Sequence, residues 1–439
     1  MPSEPRDQKL GIWMSTSLVI GNMIGAGIFL MPAALAPYGG ISILGWLVSS
    51  AGALLLARVF SRLTILVPDS GGGPYAFARA GFGDFAGFLV AWGYWLSICV
   101  ANAAIAIAFT GALGVLFPVF RQSPLSALAM SYGAIWLLTW VNSRGVRSSG
   151  SVQVLTTILK LLPLLVLIVG GWFFFSLDHF IPFNPSGESS LEAIAITGTL
   201  TLYAFLGLES ATVPSDKVKD PEKTVPRATM IGTLITTLVY VLSTGVVMGM
   251  IPRNELATST APFADAMRIM AGSLGEDVVA IGTAIAAFGA LNGWILIQSQ
   301  IAGATARDGL FPGIFRKENR KGVPARGMLI GSGLCSALVL MNYTEGLVEQ
   351  FRFLILLSTL CTLIPYLFGA AAYTALSLQR LSGNAHAGVF VLGTLAFAFS
   401  VWAVFGAGET AVFWGFILLL LGIPVYVFMK SRQKPPPHE

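Results

Sequence analysis

Two charged side chains stand inside long apolar stretches of the sequence, Lys160 in SVQVLTTILKLLPLLVLIV and Glu209 in TLYAFLGLESATVP. A charge at the centre of a membrane-spanning helix costs about 2.5–3.5 kcal/mol on insertion scales, so each is a candidate functional group. Burial disfavours the bare ammonium of Lys160, which favours proton coupling as its chemistry. The alternatives are a permanently charged strut that binds backbone carbonyls, or an incidental lysine. For Glu209 the structural alternative is a carboxylate that accepts bonds from backbone amides or from a hydroxyl such as Ser210 or Tyr94.

Two glycine-containing interruptions lie within these apolar stretches. The first is LVIGNMIGAGIFLMP, residues 18–32, and the second is TLYAFLGLESATVP, residues 200–214, with Gly207 beside Glu209. The residues that interrupt the first stretch are Gly21, Gly25, Gly27 and Pro32. Glycine lets a backbone leave helical geometry, and in lipid a broken helix is tolerated only where it lines an enclosed cavity. The alternative is that the glycines only allow helices to pack closely.

The ends of broken helices predict what such a cavity would bind. An N-terminal end presents free N–H groups and the positive pole of the helix dipole, which suit a carboxylate. A C-terminal end presents carbonyl groups, which suit an ammonium. Because an α-amino acid carries both groups on one carbon, the paired breaks predict a site for an amino-acid backbone.

The composition requires a membrane around these elements. The chain is 55% hydrophobic and 11% charged, whereas soluble domains are about 25% charged. Apolar runs of about 20 residues, long enough to cross a hydrocarbon core, recur along it. We predict an all-α membrane protein of about twelve spans: 12–36, 40–64, 83–115, 124–143, 150–176, 191–213, 226–251, 276–303, 327–343, 353–377, 387–405 and 409–429.

The distribution of lysine and arginine orients these spans. With a cytoplasmic N-terminus, 21 of the 26 cations fall in inner segments and four in outer loops, and Lys160 lies within a span. This pattern predicts a multi-pass protein of the cytoplasmic (inner or plasma) membrane with both termini inside, and it gives no reason to expect a nucleic-acid partner. The two breaks are five spans apart, so two five-span repeats must be inverted relative to each other.

The predicted organisation has three parts. Residues 1–11 form a cytoplasmic N-terminal segment, and residues 431–439 form a cytoplasmic tail. The transporter domain, 12–430, contains inverted repeats at 12–176 and 191–377 and extra helices at 387–429. Three cysteines lie in apolar segments and are interpreted as packing residues. No histidine or cysteine spacing suggests a metal or a cofactor, no nucleophile–base pair or carboxylate dyad suggests an enzyme, and no repeated filter sequence suggests a channel.

Four motifs resemble one known superfamily in their order and spacing along nearly the whole chain. They are GNMIGAGIFLMPAALA, the loop PDSGGGPYAFARAGFG (68–83), FLGLESATVPSDKVKDPEKTVPRA (205–228) and ARDGLFPGIF (306–315). They are similar to motifs of the amino acid–polyamine–organocation superfamily, with the closest likeness to the basic amino acid/polyamine antiporters. This resemblance implies a five-plus-five inverted-repeat fold, alternating access to a midplane site, small amino-acid or polyamine substrates, a lipid bilayer and, often, a homodimer.

The resemblance also implies roles for individual residues. The implied substrate-binding residues are Asn22, Met23, Ala26, Gly27, Ser97, Ile98, Asn102, Tyr203, Leu206, Trp294 and Ser358. The implied gating residues are Tyr94, Tyr203, Glu209, Trp294 and Tyr366. Tyr94, Tyr203 and Trp294 could also attract a cationic side chain through their ring faces, by about 0.5–2 kcal/mol. Most aromatic side chains of a membrane protein nevertheless serve packing or interfacial anchoring.

The sequence departs from the antiporter pattern at three positions. Arginine–agmatine exchangers carry tryptophan where this chain has Tyr203 and serine where it has Ala26. Lys160 replaces an apolar residue of these exchangers, whereas proton-coupled bacterial amino-acid transporters and L-type exchangers have a lysine there. In sodium-coupled proteins of this fold a cation lies between the first and fifth spans. We therefore expect sodium-independent amino-acid transport, in the form of amino acid–amine exchange or of neutral amino-acid symport or exchange coupled to protons through Lys160 and Glu209.

Overall fold

The computed structural model describes residues 9–68, 71–344, 348–380 and 385–432, and for residues 348–357 and 385 it describes the backbone alone. Within these ranges the secondary structure is helical, apart from one isolated bridge between Leu10 and Val218. The predicted all-α class is confirmed. Most of the predicted N-terminal segment and of the predicted tail lies outside the described residues.

The described residues form seventeen α-helices. In order they are α1 (Ile12–Met23), α2 (Met31–Leu35), α3 (Ser42–Leu66), α4 (Pro74–Leu116), α5 (Val119–Gln122), α6 (Pro124–Ser143), α7 (Val146–Gly171), α8 (Ser190–Leu202), α9 (Pro221–Met250), α10 (Arg253–Thr258), α11 (Pro262–Ala271), α12 (Ser273–Arg307), α13 (Ala325–Tyr343), α14 (Val348–Arg380), α15 (Ala385–Gly406), α16 (Glu409–Leu420) and α17 (Ile423–Ser431). Short 3₁₀ turns at Ala26–Leu30 and Tyr203–Phe205 follow α1 and α8.

Ten helical segments of the described residues are long and apolar enough to cross a membrane. The predicted first and sixth spans are interrupted, as expected. Helix α1 has 12 residues, or about 18 Å at 1.5 Å per residue, which is shorter than a hydrocarbon core of about 30 Å. The segment Ser190–Phe205 is likewise a short apolar helix. The count of twelve, the inverted repeat and the domain boundaries stay predictions.

Two local predictions differ from the structure. The stretch 68–83 was expected to be a loop, but α4 already begins at Pro74 and bends at Gly83, where φ is +83°. Proline is favoured in a first helical turn, and the buried side chains of Tyr75 and Phe77 anchor this extension. The predicted last span is divided into α16 and α17, because the helix is interrupted between Leu420 and Ile423.

The packing places α1 among the long helices, whereas α8 packs chiefly against α3. Helix α1 packs against α7, α9 and α12, and α4 packs against α12 and α14. Gly21 of α1 lets α7 approach, because a Cβ atom there would lie 1.8 Å from the Gln153 amide nitrogen. Gly21 therefore serves close packing, which was the alternative interpretation of the glycines, whereas Gly25 lies in the break itself.

Candidate functional site

The first break begins where α1 ends at Met23. Ile24 has φ −81° and ψ 87°, and Gly25 has φ −103° and ψ −158°, so neither is helical. The chain then resumes as the 3₁₀ turn Ala26–Leu30. Gly27 at the start of this turn is exposed, and a Cβ atom built on it would meet no atom within 4 Å. The N-terminal end of the second half-helix therefore faces open space.

Lys160 of α7 binds the carbonyl groups that this break frees. Its Nζ atom donates to the carbonyl oxygens of Gly21 at 2.9 Å and Ile24 at 2.7 Å, and to that of Ala286 in α12 at 3.4 Å. The side chain is completely buried, and no ion pair of Lys160 is found in the described part of the chain. An ammonium has three N–H donors, so three carbonyl acceptors match its charged form.

The remaining carbonyl groups at the end of α1 are also bound by side chains of other helices. The Tyr240 hydroxyl of α9 donates to the Met23 carbonyl at 2.6 Å, and the Trp294 indole of α12 donates to the Asn22 carbonyl at 3.3 Å. A helix end leaves such carbonyls without partners inside the helix, and buried groups of this kind require other donors. The carbonyl side of the first break is therefore occupied.

The second break lies between α8 and the loop that carries Glu209. Gly207 has φ +105°, a conformation that favours glycine, and a Cβ atom there would lie 3.1 Å from Trp294 and 3.2 Å from Asn22. The Asn22 side-chain amide also donates to the Ser210 hydroxyl at 2.9 Å. The two breaks are therefore in direct contact.

Glu209 is held by two tyrosines from different long helices. The Tyr94 hydroxyl of α4 donates to its Oε1 atom, and the Tyr366 hydroxyl of α14 donates to Oε2 at 2.6 Å. The Tyr366 oxygen also accepts the Gly207 N–H at 3.1 Å. The carboxylate is 1% exposed. This cluster joins the second break to α4 and α14 and occupies both oxygens of Glu209.

A cavity of about 390 Å³ lies between the two breaks. It is lined from α1, α2, α4, α9, α12, α14 and the two breaks by Asn22, Met23, Gly25, Ala26, Gly27, Ile28, Met31, Tyr94, Ser97, Ile98, Ala101, Ala104, Ile105, Ala108, Tyr203, Ala204, Leu206, Glu209, Tyr240, Trp294, Thr362 and Tyr366. Along α4 the lining is buried at Ser97 and Ile98 and partly exposed at Ala101 and Ala108, so the cavity opens toward the Leu116 end of this helix.

A larger cavity of about 550 Å³ lies at the opposite end of α4, but no residue of either break lines it. Its walls are charged: Arg79 contacts Asp84 and Asp308, each at 2.7 Å, and Arg307 contacts Asp216 at 3.3 Å. The Tyr75 hydroxyl donates to Asp308 at 2.7 Å and Lys430 contacts Asp84 at 2.7 Å. These groups pair with one another, apart from the Asp216 Oδ1 atom, and none lies at a break, so the smaller cavity is the better candidate for a substrate site.

Comparisons with known proteins agree with this architecture. A family model described as amino acid permease matches residues 10–429. The chain belongs to the amino acid permease family. It is 34% identical over 430 residues to the putrescine transporter PotE of Haemophilus influenzae, covering 97% of this chain and 98% of that protein. It is 33% identical to a cadaverine/lysine antiporter of Escherichia coli (97% and 96% covered) and 32% identical to an arginine/ornithine antiporter of Pseudomonas aeruginosa (92% and 88% covered).

The structure of this permease brings most of the predicted site residues together. Those that line the cavity are Asn22, Met23, Ala26, Gly27, Tyr94, Ser97, Ile98, Tyr203, Leu206, Glu209, Trp294 and Tyr366. Asn102 does not line it, because its buried amide turns away and donates to Gln298 at 2.7 Å. Ser358 is buried one helical turn from Thr362, which does line the cavity. Lys160 lies behind the first break. The roles assigned to all of these residues stay predictions.

Sequence reasoning missed part of the cavity wall. Tyr240 both lines the cavity and binds the Met23 carbonyl, yet a tyrosine in an apolar span looks like any packing aromatic. The face of α4 was detectable, because Ala101, Ala104, Ile105 and Ala108 recur at helical spacing from Ser97 and Ile98. This spacing marks one face of a helix, but apolar side chains alone do not indicate that the face lines a cavity.

Proposed function

We propose that this permease is a secondary transporter that binds an α-amino acid between its two helix breaks and carries it across the membrane by alternating access. The observation that supports this most directly is the contact between the breaks at one cavity, with Gly207 against Asn22. Membership of the amino acid permease family and the antiporters among its relatives support exchange of an amino acid or amine as its activity.

The occupied and open ends of the breaks give the substrate an orientation. The carbonyl groups of Asn22 and Met23 already have donors, whereas the N-terminal end at Gly27 faces the cavity. We therefore assign the substrate carboxylate to the N–H groups of the turn Ala26–Leu30. The Gly207 N–H donates to the Tyr366 hydroxyl, so it is not free to bind a carboxylate at the second break. We assign the substrate ammonium to the carbonyl end of this break, which is formed by α8 and the turn Tyr203–Phe205.

Alternating access requires one closed and one open path to this site. The cluster of Glu209, Tyr94 and Tyr366 lies on one side of the cavity, and Ala108 of α4 lies on the open side. Fourteen residues of α4 separate Tyr94 from Ala108, or about 21 Å along the helix. The open side is the predicted outer side. Moving from outward-facing to inward-facing would require the Glu209 cluster to separate, which makes these residues the proposed inner gate.

Lys160 supports a sodium-independent mechanism. Its ammonium occupies the position between α1 and α7 at which a bound cation would contact the freed carbonyls of Gly21 and Ile24. Loss of its proton would leave two N–H donors for three carbonyl oxygens, so protonation and break geometry are linked. Proton coupling through Lys160 is the second candidate function, and a permanently charged strut is its structural alternative.

Counterflow in liposomes tests the proposed transport. Purified protein is reconstituted with unlabelled amino acids inside, and uptake of the same radiolabelled, chemically unmodified amino acids is measured from outside. Saturable uptake that requires internal substrate is expected, with an unchanged rate when choline replaces sodium. Conversion of the substrate would indicate an enzyme, flux that does not saturate would indicate a channel, and a steep sodium dependence would contradict the role assigned to Lys160.

The transport function and the cation distribution also support a location. We place the protein in the cytoplasmic membrane with both termini on the cytoplasmic side, and we do not propose a catalytic activity. A cysteine introduced at Ser431 should react with a membrane-impermeant maleimide in inverted vesicles and not in right-side-out vesicles. The homodimer stays a prediction of the family resemblance.

A further inference from the structure

The wall of the candidate substrate cavity is apolar beyond the two breaks. On α4 it consists of Ile98, Ala101, Ala104, Ile105 and Ala108, which share one helix face. Across the cavity from this face the lining residues Ile28 and Met31 of the first half of the chain are again apolar. A side chain that extends from an amino acid held at the breaks would therefore meet hydrocarbon on these sides.

Glu209 is the only acidic residue among the described residues that line this cavity. Both of its oxygens already accept tyrosine hydroxyls, from Tyr94 and Tyr366, and it lies at the closed side. A second ammonium on the substrate would thus have no free carboxylate to pair with. When the open side closes during the proposed transport cycle, that ammonium would be a buried charge without a partner, which is far more costly than a buried hydrocarbon chain.

A fixed positive charge lies directly behind the site. The Lys160 ammonium binds the carbonyls of Gly21 and Ile24, while Asn22 and Met23 between them line the cavity. A zwitterion has no net charge, whereas a dibasic amino acid or a diamine would bring additional positive charge near this lysine. The aromatic faces of Tyr203 and Trp294 offer attraction to a cation, but a ring is a weaker partner than a carboxylate.

We propose that the substrate of this permease is a neutral amino acid with an apolar side chain, and not a dibasic amino acid or a diamine. This inference rests on the proposed function, because it specifies what the same cavity accepts. The relatives described above are named for putrescine, for cadaverine and lysine, and for arginine and ornithine. The chain would then share their fold and their mode of transport while differing in the charge of the cargo.

One matched pair of compounds, norleucine and lysine, tests the inference in counterflow, and leucine and putrescine are added for comparison. Norleucine and lysine share an unbranched side chain and differ chiefly in the terminal ammonium, and leucine and putrescine extend the comparison to an amine without a carboxylate. Norleucine and leucine are expected to drive exchange at least about tenfold better than lysine, with no exchange of putrescine, because an apolar wall rejects an unpaired charge. Lysine or putrescine exchange equal to that of norleucine would overturn the inference. Failure of every compound would instead contradict the proposed transport function.

A substitution in the cavity wall tests the same argument from the protein side. Ala101→Asp places a carboxylate on the apolar face, and Ala101→Asn is the matched uncharged control. The Asp variant should raise lysine exchange relative to norleucine exchange at least about tenfold, and the Asn variant should not. An equal gain with Asn would show that size or polarity, and not charge, excludes lysine, which would contradict the inference.

Discussion

Lys160 and Glu209 are the two buried charges predicted from the sequence, and the structure gives them different surroundings. Within the described residues, the hydrogen bonds of Lys160 go to backbone carbonyls, whereas Glu209 accepts two tyrosine hydroxyls and lies in the cavity wall. The first arrangement ties a charge to the geometry of a break. The second ties a charge to the contact between helices α4 and α14. Each charge therefore links a break to an intact helix.

Replacing Lys160 separates the coupling role from the strut role. Lys160→Ala leaves the buried carbonyls of Gly21 and Ile24 without this donor, at a cost of about 1–3 kcal/mol each, and removes the protonatable group that binds them. We expect a lower melting temperature and loss of uptake driven by a pH gradient, with some substrate binding retained. Lys160→Met, which keeps the length of the side chain, is the control for lost volume. Uptake that still follows the pH gradient as in the parent would exclude the coupling role.

The pair of broken helices distinguishes this fold from a simple helical bundle. A substitution at Gly207 tests whether the contact between the two breaks is needed. Gly207→Ala forces a side chain into φ +105° and puts a methyl group 3.1–3.2 Å from Trp294 and Asn22, so these neighbours must move by a few tenths of an ångström, which disturbs the contact between the breaks. A left-handed backbone of this kind costs a non-glycine residue about 1–2 kcal/mol. We expect reduced thermal stability and reduced affinity. Gly133→Ala in α6, where a Cβ atom meets nothing within 4 Å, is the matched control, which should leave affinity unchanged and should not lower thermal stability, because alanine is favoured over glycine inside a helix.

Affinity can be followed by ligand-induced thermal shift with norleucine. If Gly207→Ala bound and melted like the parent, close contact between the breaks would not be needed for the site. A loss in Gly133→Ala of the same size would show that the chain tolerates added methyl groups poorly at any position, and would remove the support for a specific role of Gly207.

The interruptions could be predicted from the sequence because three glycines cluster with a proline in residues 18–32, and because Gly207 stands beside the charged Glu209 in an apolar span. The side-chain contacts that satisfy the carbonyl groups at the breaks could not be predicted from the sequence. Tyr240 gives no signal as a donor to the Met23 carbonyl, since only the fold brings α9 to the end of α1. Asn102 was expected at the site from the resemblance, but its side-chain amide donates a hydrogen bond to Gln298 on α12 instead. Polar residues of a buried helix have several possible partners, and tertiary packing decides between them.

At the scale of the whole molecule, the substrate cavity is open at one end of α4 and the charged cavity lies at the other. The ion pairs of Arg79 with Asp84 and Asp308 connect the start of α4 to the end of α12, and Lys430 adds α17. These side chains are about one-third exposed, so each pair contributes at most about 1 kcal/mol. In the proposed transport cycle, they would favour the conformation in which this end of the molecule is closed.

We therefore expect Asp308→Asn to shift the equilibrium between the outward-facing and inward-facing conformations by a measurable amount. Loss of about 0.5–1 kcal/mol would raise the population open at this end about two- to fivefold. The reporter is Ala76→Cys, a buried position that lines the charged cavity, and its reaction rate with an impermeant maleimide should rise by that factor. Asp265→Asn, which removes the ion pair with Arg268 in α11, is the control and should leave the rate unchanged. An unchanged rate in Asp308→Asn would mean that the Glu209 cluster closes this path alone, without help from the charged cavity.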